Sequence, residues 1–220
     1  MDSSKIRLYN RFMIIKERAK YGKRAGLVGV FCNLLSGTGM ICIGAVSGSV
    51  AMIAEGIHNL TDVFSGAVIF TGFKLTELEA HEKHPHGHAK HENIAGYTVA
   101  ILMLVGGALA IHEAIERILE PEELKFSWMI FVMLGVGLLS QLVQTIVYRR
   151  YAKKLKSNAL KTVGLETRND VLGIAMVFIA MLFMSWTGIN IDGWLAIAIA
   201  LLMIYDGLKM AKEEVMVLVK

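Results

Sequence analysis

The 220-residue chain is 55% hydrophobic, has a mean hydropathy of +0.52 and carries a formal net charge of +4. Soluble domains of this size seldom have this composition, so it favours a membrane protein. Nucleic-acid binding is disfavoured although the chain is basic. Its basic residues concentrate at the edges of apolar stretches, where the positive-inside bias and anionic lipid headgroups account for them.

Six apolar stretches are long enough to cross a membrane. A helix needs about 20 mostly apolar residues to span a hydrocarbon core of roughly 30 Å, whereas barrel strands would show short alternating segments. We therefore predict an all-α membrane protein with six transmembrane helices, separated by polar turns such as "SGS", "EPEEL" and "WTGIN". The six stretches cover 25–47, 50–75, 94–118, 126–148, 158–186 and 191–211.

The positions of lysine and arginine predict the orientation of these helices. Both residue types are abundant before the first helix and between the fourth and fifth, and positive charge in short loops is retained on the cytoplasmic side. The first-to-second and fifth-to-sixth loops contain neither, and the acidic third-to-fourth loop has only Arg117 and Lys125 nearby. The N and C termini are therefore predicted to be cytoplasmic.

This topology divides the chain into three predicted segments. Residues 1–24 form a basic cytoplasmic N-terminal segment, 25–212 form the six-helix transmembrane domain, and 213–220 begin a cytoplasmic tail. No removable signal peptide is expected, because the first 24 residues lack an uncharged apolar core followed by a small-residue cleavage site. Cys32 and Cys42 form no CxxC pair and are interpreted as packing residues.

Ligand-type side chains occur in pairs within two of the predicted helices. His58 and Asp62 share one face of the second helix, and Glu166 and Asp170 share one face of the fifth. At 1.5 Å per residue, His58 and Asp170 lie about 12 Å below the outer membrane face, and Asp62 and Glu166 lie about 18 Å below it. Such residues are costly in a bilayer unless they are paired, solvated or bound to a cation. The two pairs therefore predict a four-ligand metal site.

One imidazole and three carboxylates suit a divalent transition metal, with Zn²⁺ favoured and Mn²⁺ or Fe²⁺ as alternatives. In a second interpretation, His58 and Asp62 form a structural hydrogen-bonded pair and Glu166 pairs with Arg168. Two matched pairs at equal depth would be a costly way to hold helices together. Glu55, one turn before His58, is interpreted as an entrance carboxylate or as a residue near the outer interface.

A histidine-rich loop, residues 79–92, connects the second and third helices and predicts a second metal site. Its candidate ligands are His81, His84 and His88. The alternative is a solvated polar loop that binds no metal tightly. His86 and His91 are weaker candidates, and His112 is interpreted as a polar residue near the outer end of the third helix.

Three segments resemble motifs of the cation diffusion facilitators, a family that exports divalent metals in exchange for protons. They are "GSVAMIAEGIHNLTDVFSG" in the second helix, "HPHGHAKHE" in the loop and "ALKTVGLETRNDVLG" in the fifth helix. The resemblance implies a six-helix transport domain in a bacterial cytoplasmic membrane, a homodimer, and the metal and loop sites named above. The ligand total resembles that of zinc transporters, whereas "HNLTD" and "RND" are similar to manganese-type relatives. The family's cytoplasmic C-terminal domain is expected to be absent.

The predicted activity is metal export by proton antiport with alternating access. Metal binding needs neutral imidazole and ionised carboxylates, so metal and protons compete for the same atoms. The expected partners are divalent metal ions, protons and the lipid bilayer, with no prosthetic group and no nucleotide motif GxxxxGK[ST]. The alternatives are a passive metal channel and a membrane-embedded metalloenzyme, although the sequence has no HExxH.

Overall fold

The structure is a computed structural model that describes residues 3–78, 89–120 and 124–218. Within these ranges the chain forms six helices and no strand, which confirms the predicted all-α class. None of the six helices contains a proline, so none is kinked or broken in that way. The helices are α1 (Ser3–Ser47), α2 (Val50–Leu78), α3 (Ala89–Leu119), α4 (Trp128–Leu155), α5 (Asn158–Thr187) and α6 (Asp192–Leu218).

Local sequence signals determine where several of the helices begin and end. Between α1 and α2, Gly48 has a φ of 75°, a conformation that glycine adopts without steric cost. Ser127 and Ser157 cap the N-termini of α4 and α5 by accepting backbone N–H hydrogen bonds. Gly188 ends α5 in the left-handed conformation. The predicted turns at "SGS" and "WTGIN" are therefore confirmed.

The surface of the helix bundle is suited to lipid. Within the described residues, four helices contain a segment long and apolar enough to cross a membrane: Lys16–Ser47, Trp128–Leu155, Val163–Thr187 and Asp192–Lys212. Helix α2 carries the ionisable residues Glu55, His58 and Asp62 within its length. All three tryptophans are exposed near helix ends, at Trp128, Trp186 and Trp194. These ends lie on the predicted outer side, where an aromatic belt marks the membrane interface.

The helices pack mainly as three pairs, α1 with α2, α3 with α6 and α4 with α5. Small residues allow the first pair to approach closely. A Cβ atom added to Gly37 would lie 2.9 Å from the carbonyl oxygen of Gly56 on the neighbouring helix. In lipid, helices associate largely through such close packing, because burial from water does not drive them together. The two glycines thus hold α2, which carries the first pair of candidate ligands, against α1.

A buried carboxylate joins the N-terminal ends of α2 and α6. Asp192, the first residue of α6, is fully buried and accepts hydrogen bonds from Ser49 Oγ at 2.6 Å and from the Val50 amide at 2.7 Å. A third hydrogen bond comes from the Ala51 amide at 3.3 Å. A negative charge at a helix N-terminus is favourable because the helix dipole is positive there, and Arg117 of α3 adds an electrostatic attraction. Asp192 therefore caps α2 from a different helix.

Replacing Asp192 by alanine should lower the free energy of unfolding by about 1–3 kcal/mol, because the buried donors of Ser49 and Val50 lose their acceptor. Asp192→Asn should cost less, since one acceptor oxygen remains. Equilibrium unfolding of the purified protein in mixed micelles measures the difference. Glu113→Ala, which removes an exposed carboxylate of α3, is the matched control and should change stability by no more than roughly 0.5 kcal/mol. Equal losses in Asp192→Ala and the control would contradict the capping role.

Candidate metal centre

Three of the four predicted ligands come together between α2 and α5. His58 and Asp62 lie one turn apart on α2, and Asp170 approaches them from α5. His58 Nε2 lies 3.8 Å from Asp62 Oδ2 and 3.6 Å from Asp170 Oδ1. One ligand atom from each residue lies within 4.8 Å of the other two. The three side chains are partly buried. Together they form a compact cluster with one nitrogen donor and two oxygen donors.

The distances within this cluster suit a shared cation better than hydrogen bonding. An N–H···O hydrogen bond joins atoms roughly 2.7–3.2 Å apart, and both nitrogen–oxygen distances here are longer. Two donors that each lie roughly 2.1 Å from a tetrahedral metal ion are about 3.4 Å apart. Asp62 Oδ2 is buried and has no hydrogen-bond partner among the described residues. Its lone pairs are therefore available to a cation.

Glu166, the fourth predicted ligand, is placed differently. It lies one turn before Asp170 on α5, and its side chain is exposed. It is not part of the three-residue cluster, although its charge interacts with that of Asp62. Glu166 could complete a four-ligand site only if its side chain turned toward Asp62.

Two further carboxylates interact electrostatically with the cluster. Glu55 is only 3% exposed and interacts electrostatically with His58 and Asp170. Its side chain is therefore buried within the bundle. Asp206 of α6 also interacts electrostatically with His58 and Asp170. The sequence analysis missed Asp206, although an ionisable residue inside an apolar stretch is a signal that could have identified it.

A buried amide network supports α2 directly beside His58. Gln141 Nε2 donates to Asn59 Oδ1 at 2.8 Å, and Gln144 Nε2 donates to Asn33 Oδ1 at 2.8 Å. Gln144 also donates to Gln141 Oε1 at 3.0 Å. All four amide side chains are at most 4% exposed. The network joins α1, α2 and α4, and it too was missed by the sequence analysis.

Among the described residues, no other predicted ligand belongs to this cluster. His81, His84, His86 and His88 lie outside the described residues, as does the side chain of His91, so the loop site stays a prediction. His112 Nδ1 lies 3.5 Å from Glu116 Oε1, and both side chains are exposed near the end of α3. Both cysteines are free.

Comparison with known proteins identifies the fold that holds this cluster. A family model described as the cation efflux transmembrane domain matches residues 26–219, which is most of the chain and includes all the candidate ligands. The chain belongs to the cation efflux family. As a member, it is an integral, multi-pass membrane protein. The family resemblance inferred from the sequence is thereby confirmed.

Curated relatives of this cation efflux domain are named as transporters. An uncharacterized transporter of Methanocaldococcus jannaschii is 29% identical over 73% of this chain and 56% of its own length. The manganese efflux system protein MneS of Bacillus subtilis is 28% identical over 90% of this chain and 68% of its own length. The cation-efflux pump FieF of Serratia proteamaculans is 25% identical over 77% of this chain and 56% of its own length. The chain thus spans little more than half the length of two of these relatives.

The geometry predicts unequal roles for the two carboxylates of α5. Asp170→Asn removes a member of the cluster and should weaken divalent-metal binding by roughly 100-fold, since even indirect supporting groups account for 10- to 100-fold. Glu166→Gln makes the same chemical change one turn away and should cost less than roughly tenfold. Equilibrium zinc and manganese binding to the purified variants measures both effects. An equal or larger loss in Glu166→Gln would place Glu166 in the centre and contradict the three-residue cluster.

Proposed function

We propose that this domain exports a divalent transition metal in exchange for protons. The observation that supports the proposal is the cluster of His58, Asp62 and Asp170 between two helices of a cation efflux domain. Imidazole and carboxylate groups are suitable ligands for transition metals. Inside a membrane-spanning bundle, such ligands mark an ion pathway more readily than a structural contact.

Proton coupling follows from the chemistry of these ligands. A metal ion binds only to neutral imidazole and ionised carboxylates, so its departure leaves groups that can take up protons. When the site opens to a proton-rich exterior, protonation of His58 and a carboxylate weakens metal binding and releases the ion. When the site reopens inward, those protons leave and the next ion binds. Alternating access to one site therefore exchanges the two kinds of ion.

Glu55 and Asp206 add negative charge on both sides of this site. At 1.5 Å per residue, Glu55 lies about 8 Å from the start of α2, closer to the predicted outer face than His58. Asp206 lies about 21 Å from the start of α6, deeper than Asp62 at about 18 Å. Each carboxylate is within electrostatic reach of His58 and Asp170. Asp206 can attract an ion from the cytoplasmic side, and Glu55 can receive it on the way out.

Zinc is the proposed substrate because one of the three clustered donors is an imidazole nitrogen. Nitrogen donors and the Irving–Williams order both favour Zn²⁺ over Mn²⁺. Manganese is the second candidate, favoured by the name of the Bacillus subtilis relative and by the oxygen-rich remainder of the site. Iron(II) would also accept this set of donors.

Proton antiport predicts that metal flux through proteoliposomes rises when the opposite side is made more acidic than the side that holds the metal. A protonophore should remove the acceleration, because it dissipates the gradient. Asp62→Ala should abolish the flux while the protein still inserts and folds, whereas Glu113→Gln, an exposed change on α3, should retain it. A passive channel would give the same flux with and without the gradient at a fixed membrane potential. That result would overturn the antiport mechanism but leave the metal site intact.

The imidazole of His58 should set the preference for zinc. His58→Asn replaces a nitrogen donor with an amide and should lower the zinc-to-manganese affinity ratio by roughly tenfold. Competitive uptake of the two ions into vesicles, with bound metal measured in parallel, gives the ratio. His112→Asn, which alters an exposed histidine outside the cluster, is the matched control. An unchanged ratio in His58→Asn would show that His58 is not a metal ligand.

A further inference from the structure

A basic cavity lies at the end of the bundle predicted to face the cytoplasm, where α4 turns into α5. Its volume is about 590 Å³, within the usual range for small-molecule sites. Four of its seven lining residues are basic and none is acidic. The lining residues are Arg149, Ala152, Lys153, Lys156, Ser157, Lys161 and Leu165.

The turn between the two helices brings these charges together. Lys156 ends α4 in the left-handed conformation, with φ 48°, and the chain reverses directly into α5. Gly164 lets α5 approach α4 closely, since a Cβ atom there would lie 3.2 Å from Tyr148 Cβ and 3.5 Å from the Arg149 nitrogen. Lys161 and Leu165, on either side of Gly164 along α5, therefore face the basic end of α4.

The charges of the cavity have no counterpart in the described part of the protein. Lys154, on the same turn of α4, contacts Glu17 at 3.2 Å and lies 3.5 Å from the ring centre of Tyr21. By contrast, no ion pair joins Arg149, Lys153 or Lys161 to an acidic side chain among the described residues. Four like charges around one cavity repel each other. An anion placed between them would remove this repulsion.

We propose that this cavity binds the phosphate headgroup of an anionic phospholipid. The cavity lies at the predicted cytoplasmic end of the membrane-spanning helices, where such lipids attract basic residues. Its lining also includes the apolar side chains of Ala152 and Leu165, which suit the glycerol and acyl parts of a lipid better than a free phosphate ion. The hydroxyl of Ser157 accepts from the Leu160 amide, so its hydrogen can donate to a phosphate oxygen. The positive end of the α5 dipole adds to the attraction.

Titration of the purified protein with phosphatidylglycerol, followed by native mass spectrometry, tests the proposal. Wild type should bind phosphatidylglycerol more tightly than phosphatidylcholine. The triple variant Arg149→Gln, Lys153→Gln, Lys161→Gln should bind it roughly tenfold more weakly or worse, since each basic residue adds to the attraction. The control variant Arg18→Gln, Arg24→Gln, Arg150→Gln removes the same charge from exposed positions outside the cavity and should bind as wild type does.

Three outcomes would overturn the proposal. An equal loss of affinity for phosphatidylglycerol in the two triple variants would show that the overall charge of the protein attracts the lipid. Equal binding of phosphatidylglycerol and phosphatidylcholine by wild type, a comparison that needs no variant, would show that the headgroup is not recognised. Inorganic phosphate that binds as tightly as phosphatidylglycerol and displaces it would identify a free anion as the occupant. If the first triple variant does not fold, Lys161→Gln alone provides the same comparison with Arg150→Gln.

Discussion

The cost of placing charge inside a bilayer is the constraint on which the rest of this structure depends. Four carboxylates, Glu55, Asp62, Asp170 and Asp206, lie within electrostatic reach of one another or of His58. Ionised together, they would carry far more negative charge than one imidazolium could balance. Such groups need cations in a medium of low dielectric constant. Protons and a metal ion can both meet this need, and under the proposed antiport they would do so on the same atoms.

The proposed ion exchange needs ligands on a rigid support, and α2 has such a support along its length. Asp192 of α6 caps its N-terminus, and Gly56 lets it approach α1 closely. Asn59, the neighbour of His58, joins the amide network that includes Gln141 of α4. Buried amides are costly unless they are fully hydrogen-bonded, and once bonded they fix one arrangement of the helices. His58 and Asp62 therefore project from a helix that is bonded to three others.

Much of this organisation could be predicted from the sequence, for reasons that differ from residue to residue. Helix length and the turns at Gly48 and Gly188 are local properties, because apolar runs and left-handed glycines act within a few residues. The pairing of His58 with Asp62 follows from helical periodicity, and matching depths correctly suggested that Asp170 approaches them. The orientation of Glu166 could not be deduced, because depth fixes a level in the membrane but not the rotation of a helix.

Asp206 and Gln141 were missed for a similar reason. Asp206 and Gln141 become parts of the site only through the packing of α6 and α4 around α2, and such contacts between distant segments have no local signature. An unexplained polar residue in an apolar stretch shows that a partner exists without identifying it. Asn33, Asn59 and the two glutamines were all visible as such residues. The sequence therefore contained the members of the network but not their pairing.

Helix α5 differs from α2 in its support. It packs chiefly on α4 and makes few contacts with α2 and α6, yet it carries Asp170. Within the described residues, the close approach of Asp170 to His58 is thus a main polar link between α5 and α2. A metal ion shared by these two side chains would strengthen the link, whereas protonation of Asp170 would remove its negative charge and weaken it. Binding and release at the cluster would thereby change how firmly α5 is held against a rigid α2, which is the coupling that alternating access requires.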